Sequence, residues 1–251
     1  MGRYTDLPTL DVDFLKPTKM SFDTKGGGLE GGRNGLGESV TIETSGGGVL
    51  VGSYEGCVVK DREQHEYINW VAARMNSSVR FMNVPILSDW MGPFPVDARN
   101  IPQPVISGIP HSDGALFSDG AGYSQPTVIS TVAAAGLNAG QIYIRIYGAS
   151  RKLRWSDWFS IYHPTKGWRA YRYFDPSDPT DAFEIIDGVF RSGKQYLVSL
   201  DRPLREAVVN GTRVKFDRPL CVMKFPASFS LAWEAEGWWQ SSPTLQFVEG
   251  F

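Results

Sequence analysis

The sequence contains few of the residues that most often carry chemistry. Among its 251 residues there are only two cysteines, Cys57 and Cys221, and three histidines. The cysteines lie far apart and form neither a CxxC pair nor a Cys/His metal spacing, so a disulfide framework and a zinc site are not expected. We predict that both cysteines are buried free thiols.

The sequence also lacks a surplus of positive charge and a long apolar run. It has 25 Lys and Arg against 27 Asp and Glu, a net charge of −2 at pH 7, which argues against a basic surface that neutralises many phosphates. No stretch approaches the roughly 18 apolar residues of a membrane span, and no apolar run follows Arg3. We therefore expect an aqueous, cytosolic setting, no membrane partner and no sequence-specific nucleic-acid binding.

Motifs with a chemical mechanism are missing as well. His65-Glu66 would begin an HExxH zinc motif, but Asn69 stands where the second histidine is required. Gly193-Lys194 is followed by Gln195 rather than by the Ser or Thr of a phosphate-binding loop, and the sequence has no G-x-S-x-G elbow. We predict no catalytic, cofactor-binding or metal-binding residue, and hence no enzyme. Each histidine is expected at the surface or in a local hydrogen bond.

The residues that are abundant favour short strands joined by tight turns. The chain has 27 Gly, 16 Pro and 13% aromatic residues, a mixture typical of mainly β proteins. Two β-branched runs, residues 39–42 and 49–51, are separated by the glycine triplet 46–48 and predict a hairpin. Residues 79–85 predict a strand that returns beside this hairpin.

One helix is predicted, over residues 61–75. Acidic residues crowd its first turn and Arg74 lies in its last, as the helix dipole favours. Apolar residues at helical spacing predict a stripe that is buried against a sheet; they are Tyr67, Ile68, Val71, Ala72 and Met75. Arg62, Glu66 and Asn69 are expected to face outward.

A series of strands is predicted from residue 128 onward. The runs are residues 141–147, which alternate apolar and polar, and residues 158–162, 168–174, 195–200 and 212–216. Short strands in this number usually close or stack to hide their edges, and prolines between residues 93 and 110 indicate a boundary before them.

These patterns predict a mainly β protein of two domains. The first is an N-terminal β-sandwich-like domain, residues 1–105, with the helix packed on it and with further strands in residues 220–251 that complete it. The second is an inserted β-barrel-like domain, residues 106–219.

Five tryptophans leave an alternative open. Trp155 and Trp158 flank a turn, and Trp233, Trp238 and Trp239 cluster later in the chain. Exposed rings could stack on sugars, as in a carbohydrate-binding module. A role in the core or in a subunit interface is favoured, because tryptophans at strand positions more often lie there.

Several segments follow, in order, the pattern of one protein family. The first lies in the predicted helix, residues 69–75 (NWVAARM), and is followed by Arg80-Phe81 and a strand that ends at Val84-Pro85. The later segments are residues 153–161 (LRWSDWFSI), 168–172 (WRAYR), 200–205 (LDRPLR), 210–223 (NGTRVKFDRPLCVM) and 247–251 (FVEGF). In these segments the chain resembles the distal tail proteins, a family of minor tail proteins of long-tailed, siphovirus-type bacteriophages and related gene-transfer particles.

The resemblance implies a structural protein of the virion. Proteins of this family form a ring, usually hexameric, at the distal end of the tail. The ring connects the tail tube protein to the tail hub protein of the tip or baseplate and lets the tape measure protein and DNA pass. We therefore expect a homo-oligomer that is assembled in the bacterial host cytoplasm. The alternative is a carbohydrate-binding module or a receptor-contacting tail-tip protein that uses exposed tryptophans for host attachment.

Overall fold

The computed structural model describes residues 4–26, 28–33, 35–43, 47–76, 80–86, 105–109, 114–118, 123–126, 129–149, 151–231 and 242–251. The chain divides into two compact units. The first consists of Met1–Ile86, Pro164–Trp168 and Leu220–Phe251, and the second of Leu87–His163 and Arg169–Pro219. The predicted mainly β fold is confirmed: C-terminal strands complete a helix-bearing N-terminal domain, and a barrel is inserted between them in the sequence.

The helices and strands of the described residues follow one another along the chain. They are α1 (Val12–Leu15), β1 (Lys19–Lys25), β2 (Gly28–Arg33), β3 (Ser39–Glu43), β4 (Val49–Glu55), α2 (Arg62–Met75), β5 (Met82–Pro85), β6 (Val105–Ile109), β7 (Tyr123–Pro126), β8 (Ile129–Val132), β9 (Gln141–Tyr147), β10 (Trp158–His163), β11 (Gly167–Phe174), β12 (Thr180–Ile186), β13 (Val189–Leu200), β14 (Thr212–Lys215), β15 (Leu220–Lys224) and β16 (Leu245–Glu249). Neither helix of these residues is long and apolar enough to cross a membrane.

The first unit is built on an antiparallel sheet of five strands in the order β1-β4-β16-β15-β5, as far as the structure describes it. Strand β16 lies between β4 and β15, with Leu245 opposite Tyr54. Strand β15 pairs with β5, with Cys221 opposite Val84. The C-terminal strands therefore fill the middle of a sheet whose outer strands come from the N-terminal part of the chain.

The predicted hairpin between residues 39–42 and 49–51 is wrong. Strand β3 pairs with β2, whereas β4 pairs with β1, with Lys25 opposite Val49. Gly48 has a φ of +89°, and a Cβ at this position would lie 2.7 Å from the Thr24 side chain and 3.0 Å from the Lys25 carbonyl oxygen. Gly48 thus allows β4 to approach β1.

Strand β5 is also placed differently from the prediction. It lies at the edge of the sheet beside β15, and β16 and β15 separate it from β4. Because strand pairing is non-local, the order of strands in the sheet cannot be inferred from adjacency in sequence alone.

Aromatic side chains form the core on one face of this sheet. The Tyr54 ring packs edge-on against Phe22 at 5.3 Å and Phe247 at 5.8 Å between centroids. The Phe22 ring occupies the space above Gly52, where a Cβ would collide with it. The buried Tyr54 hydroxyl donates a hydrogen bond to the Pro85 carbonyl, which ties β4 to the edge strand β5.

Helix α2 confirms the predicted burial pattern. Ile68, Val71 and Met75 are buried, whereas Arg62, Glu66 and Asn69 are exposed; Tyr67 and Ala72 are partly buried. The Tyr67 hydroxyl accepts a hydrogen bond of 2.7 Å from the Asp11 backbone N–H. The helix is therefore attached both by its apolar stripe and by polar contacts to the N-terminal segment.

A buried glutamine, which the apolar pattern did not reveal, fixes the start of α2. The Gln64 Oε1 accepts from the backbone N–H groups of Lys60 and Asp61, at 2.8 and 3.3 Å. Its Nε2 donates to the Phe14 carbonyl of α1 at 3.1 Å. Gln64 thus satisfies orphan donors at the helix N-terminus and joins the two helices.

Both cysteines are buried free thiols, as predicted. Cys57 follows β4 and Cys221 lies in β15. Burial raises the pKa of the Cys57 thiol to about 11, so this side chain stays protonated and unreactive at neutral pH.

The second unit contains a closed barrel of six strands in the described residues, in the order β11-β10-β14-β8-β9-β13, and β13 pairs with β11 to close it. The two closing pairs are Tyr173 opposite Leu200 and Phe174 opposite Ser199. Large buried side chains fill the interior, including Ile144, Phe159 and Tyr196, so the barrel is a packed core and not a channel. Outside this circuit, β12 pairs with β13, and β6 pairs with β7.

We expect Val71→Asp to prevent stable folding of the first unit. Val71 is completely buried in α2, and an unpaired buried carboxylate costs several kcal/mol against a total stability of about 5–15 kcal/mol. The measurement is soluble yield and thermal unfolding by circular dichroism. Asn69→Asp, at an exposed position two residues away, is the matched control and should retain wild-type stability. Folded Val71→Asp protein would show that this face of the helix is not core.

Candidate interaction surface

The described residues hold no cluster typical of metal chemistry. No group of three or more His, Cys, Asp or Glu side chains among them could hold a metal ion. His65 lies partly exposed in α2, His111 is outside the described residues, and His163 is completely buried at the end of β10. Of the two histidines in the described residues, His163 is the buried one, so its surroundings determine its protonation state.

His163 takes part in a local hydrogen bond. Its Nε2 lies 2.9 Å from the Tyr171 hydroxyl, which in turn accepts from the Arg205 backbone N–H at 3.1 Å. Burial and the nearby Arg169, opposed by Glu206, lower the pKa of His163 to about 4. The imidazole is therefore neutral at physiological pH and serves as a hydrogen-bonded core residue.

The most conspicuous surface of the second unit is formed by β12 and the first half of β13, here called the ribbon (residues 180–195). Phe183 pairs with Ser192, and Ile185 with Phe190. Directly paired residues of antiparallel strands share a face, so these four side chains lie on one face of the ribbon, the outer face. Ala182, Glu184 and Ile186 alternate with them and form the inner face.

The turn of the ribbon is set by two residues. Asp187 and Gly188, at φ +52° and +77°, connect Ile186 to its pairing partner Val189. Positive φ at both central residues is the requirement of a type I′ turn, for which Asp-Gly is a preferred sequence. The turn therefore imposes the register that places Ile185 opposite Phe190.

The inner face is anchored to the outside of the barrel through Glu184. Its Oε2 accepts from Thr131 Oγ1 at 2.7 Å and from the Tyr147 hydroxyl at 2.8 Å, and lies 3.6 Å from an Arg145 guanidinium nitrogen. Burial alone would raise the pKa of Glu184, but these donors outweigh it and lower the pKa. Burial and the neighbouring carboxylate raise the pKa of Tyr147 to about 12.

Apolar contacts add to this anchor. Ile186 is buried in a small cluster with Ile129 and Tyr147 on the outside of the barrel. Gly193 allows the ribbon to lie this close, because a Cβ there would collide with the Ile146 carbonyl oxygen and lie 2.6 Å from the Tyr147 ring. Gly193 is thus the position where β13 passes over β9 without room for a side chain.

The outer face is apolar and exposed. Phe183, Ile185 and Phe190 are 64%, 72% and 67% exposed. The Phe183 and Phe190 rings stack, with 5.9 Å between centroids and an interplanar angle of 11°. Monomeric proteins rarely keep such a patch without a use for it, so we regard the outer face as the candidate interaction surface.

Ion pairs border the outer face at both ends. At the end of the ribbon remote from the turn, Lys194 Nζ lies 2.6 Å from Asp181. At the turn, an Arg213 guanidinium nitrogen lies 2.5 Å from Asp187. Each end thus carries one acid and one base. An apolar centre with a charged rim is the composition of a protein interface.

Another exposed aromatic side chain, apart from those of the ribbon, lies in the loop before β10. Trp155 is 78% exposed and has a φ of +55°, a strained conformation for a bulky residue. The Arg154 guanidinium lies over its ring at 5.0 Å. Trp158 is partly buried, with Arg172 over its ring at 5.0 Å; Trp233, Trp238 and Trp239 lie outside the described residues.

Asp157 fixes this loop. The buried carboxylate accepts from Arg151 at 2.7 Å and from the Tyr173 hydroxyl. Burial and this carboxylate together raise the pKa of Tyr173 above its ordinary value. The structure therefore displays Trp155 on a loop whose end is held in the barrel core.

The ribbon was not predicted from the sequence. Its signal was present, because Asp187-Gly188 stands between the apolar pairs Ile185-Ile186 and Val189-Phe190, and Asp-Gly between such runs is a strong hairpin signal. Comparison of the chain with models of known protein families, and with curated protein sequences, gave no match.

We expect Gly193→Ala to detach the ribbon or destabilise the unit by about 2–4 kcal/mol, because the added methyl group collides with backbone that cannot move aside. Hydrogen exchange of the β12 amides and chemical denaturation measure the effect. Gly136→Ala is the matched control, since nothing lies within 4 Å of its Cβ position. Equal behaviour of the two variants would contradict the proposed close passage of β13 over β9.

His163 should make stability depend on pH. Its pKa of about 4 in the folded protein lies below the ordinary value of 6.5, so the unfolded chain binds the extra proton. Above about pH 6.5 the imidazole is neutral in both states, and the free energy of unfolding is at its full value. As the pH falls towards 4, the free energy of unfolding decreases by roughly 3 kcal/mol in all.

Urea denaturation between pH 7.5 and 4 tests this dependence. His163→Gln should be less stable at neutral pH but should lose less stability on acidification than the wild type. His65→Gln, at a partly exposed position, controls for removal of an imidazole. The same acid sensitivity in wild type and His163→Gln would refute the assignment.

Proposed function

We propose that this protein is a structural subunit of the tail tip of a long-tailed bacteriophage and acts as part of a closed ring, not as an enzyme. The ring joins the tail tube protein to the hub protein, and the tape measure protein and DNA pass through its lumen. The order of the segments that resemble distal tail proteins supports the tail assignment. This order of segments is the observation that carries the proposal. The exposed outer face of the ribbon supports contact with protein in general, because exposed apolar patches of this kind mark interaction sites, and it is not assigned to the ring contacts.

The segments that carry the resemblance serve the fold. Val71, Leu204, Cys221 and Phe247 belong to these segments and are buried. Arg202, which is also buried, donates to the Ala170 carbonyl and has its guanidinium over the Tyr171 ring at 5.5 Å. A resemblance in such residues bears on architecture, which favours a structural family over a catalytic one.

The physical properties of the chain fit a ring subunit. A ring needs rigid bodies whose contact faces close by rotation, and a closed barrel and a five-stranded sheet supply rigid bodies. With a net charge of −2, the chain does not provide the strongly basic lumen that would retain passing DNA.

Copy number and position in intact tails test the proposal. Imaging of tails labelled on this protein should find it in one ring at the distal end, and quantitative mass spectrometry against the tube protein should give six copies per tail. One copy per tail, or a position along the tube, would refute the ring. Deletion of the chain should leave tubes without an attached tip.

Trp155 favours a second candidate function, in which the barrel contacts a host glycan. An exposed indole held in a strained loop can stack on one face of a sugar ring. Trp155→Ala should then abolish retention on host cell-wall polysaccharide and leave the melting temperature unchanged. Phe183→Ala, at an exposed aromatic position on the ribbon, is the matched control and should bind as the wild type. Equal retention of all three proteins would exclude Trp155 as a sugar platform.

A further inference from the structure

We propose that the outer face of the ribbon binds the same face of a second copy of this chain, about a two-fold axis parallel to the strands. This contact goes beyond the proposed ring. A two-fold contact pairs two subunits and cannot propagate around a ring, so it is separate from the contacts that close the ring.

The surface is preformed. Glu184 and Ile186 hold the inner face on the barrel, and the Asp187-Gly188 turn sets the register. The outer face therefore needs no rearrangement before it binds a partner, which reduces the entropic cost of association. Its three exposed apolar side chains offer roughly 400 Å² of apolar surface, within the range of functional patches on monomers.

The pairing within the ribbon makes this face complementary to itself. A two-fold axis parallel to the strands places each β12 residue opposite the β13 residue with which it pairs in its own chain. Asp181 then faces Lys194 of the second copy, and Ile185 faces Phe190, because these are the pairs of the register. The acid thus meets the basic group at the end of the ribbon remote from the turn, and apolar side chains meet next to the turn. In the middle, Phe183 faces Ser192.

The size of the face predicts a weak dimer. Stable protein complexes bury about 800 Å² on each partner, and the apolar outer face provides roughly half of this. We therefore expect a dissociation constant in the range of about 10 μM to 1 mM, which gives monomers in dilute solution and pairs at the high local concentration of an assembly.

Sedimentation velocity of the full chain over a concentration series tests the contact. The wild type should show a reversible monomer–dimer equilibrium, and Ile185→Ser/Phe190→Ser should weaken it at least about 100-fold. Tyr143→Ser, at another exposed aromatic position of the barrel, is the matched control and should dimerise as the wild type. A wild type that stays monomeric to about 1 mM, or a serine variant that still dimerises, would overturn the proposal.

Charge reversal tests the axis itself. Asp181→Lys and Lys194→Asp should each weaken self-association by about 10-fold, because like charges then face each other across the axis. Mixed together, these two variants restore both pairs between the chains, so the heterodimer should form more readily than either homodimer. The double variant Asp181→Lys/Lys194→Asp should regain wild-type association. Failure of the mixture to associate would exclude this axis.

The outcome is independent of the ring. If Ile185→Ser/Phe190→Ser is incorporated into tails at the normal copy number while its dimerisation is lost, both the two-fold contact and the ring are supported. If wild-type dimerisation is confirmed but the chain is absent from tails, the ring proposal alone fails.

Discussion

The pairing of β11 with the end of β13 closes the barrel, and the other features of the second unit depend on this closure. Closure satisfies the backbone of both strands and points Ile144, Phe159 and Tyr196 into one packed interior. It also determines which side of each strand is the outside. Arg145 and Tyr147, which alternate with the buried residues of β9, are thereby available on the exterior as partners for a second layer.

The ribbon is this second layer, and strand β13 belongs to both the barrel and the ribbon. Its later residues pair with β9 in the barrel, and its first residues pair with β12 on the outside. The transition of β13 from the barrel to the ribbon brings the strand close to Tyr147, which Gly193 permits because it has no side chain. It also removes water from the Glu184 carboxylate, which accepts hydrogen bonds from Thr131 and Tyr147 instead. The exposure of the outer face is a result of this geometry, since the other face of β12 packs on the barrel.

The sequence predicted elements well where the signal is local. Periodicity identified α2, its buried stripe and strand β9, because burial on one face leaves a pattern within a few residues. Pairing was predicted poorly: the glycine triplet before β4 indicated a hairpin with β3, whereas β4 pairs with β1 and Gly48 permits their close approach. The exposure of Trp155 could not be predicted either, since it depends on a positive φ and on the distant hydroxyl of Tyr173. The burial of Gln64 was missed for the same reason, because its partner Phe14 is set by tertiary structure, whereas the expected local hydrogen bond of His163 is present.

The position of β16 in the middle of the first sheet has a consequence for synthesis on the ribosome. Its neighbour β4 precedes it by about 190 residues, so the two halves of the sheet cannot meet until nearly the whole described chain has emerged. The barrel strands between Ile129 and Lys215 are complete earlier and can fold first. Contacts of such long range form slowly, and the nascent N-terminal segment carries an unfinished sheet edge for most of translation. Because β16 lies in the middle of this sheet, a chain truncated before β16 is expected to leave the sheet of the first unit incomplete.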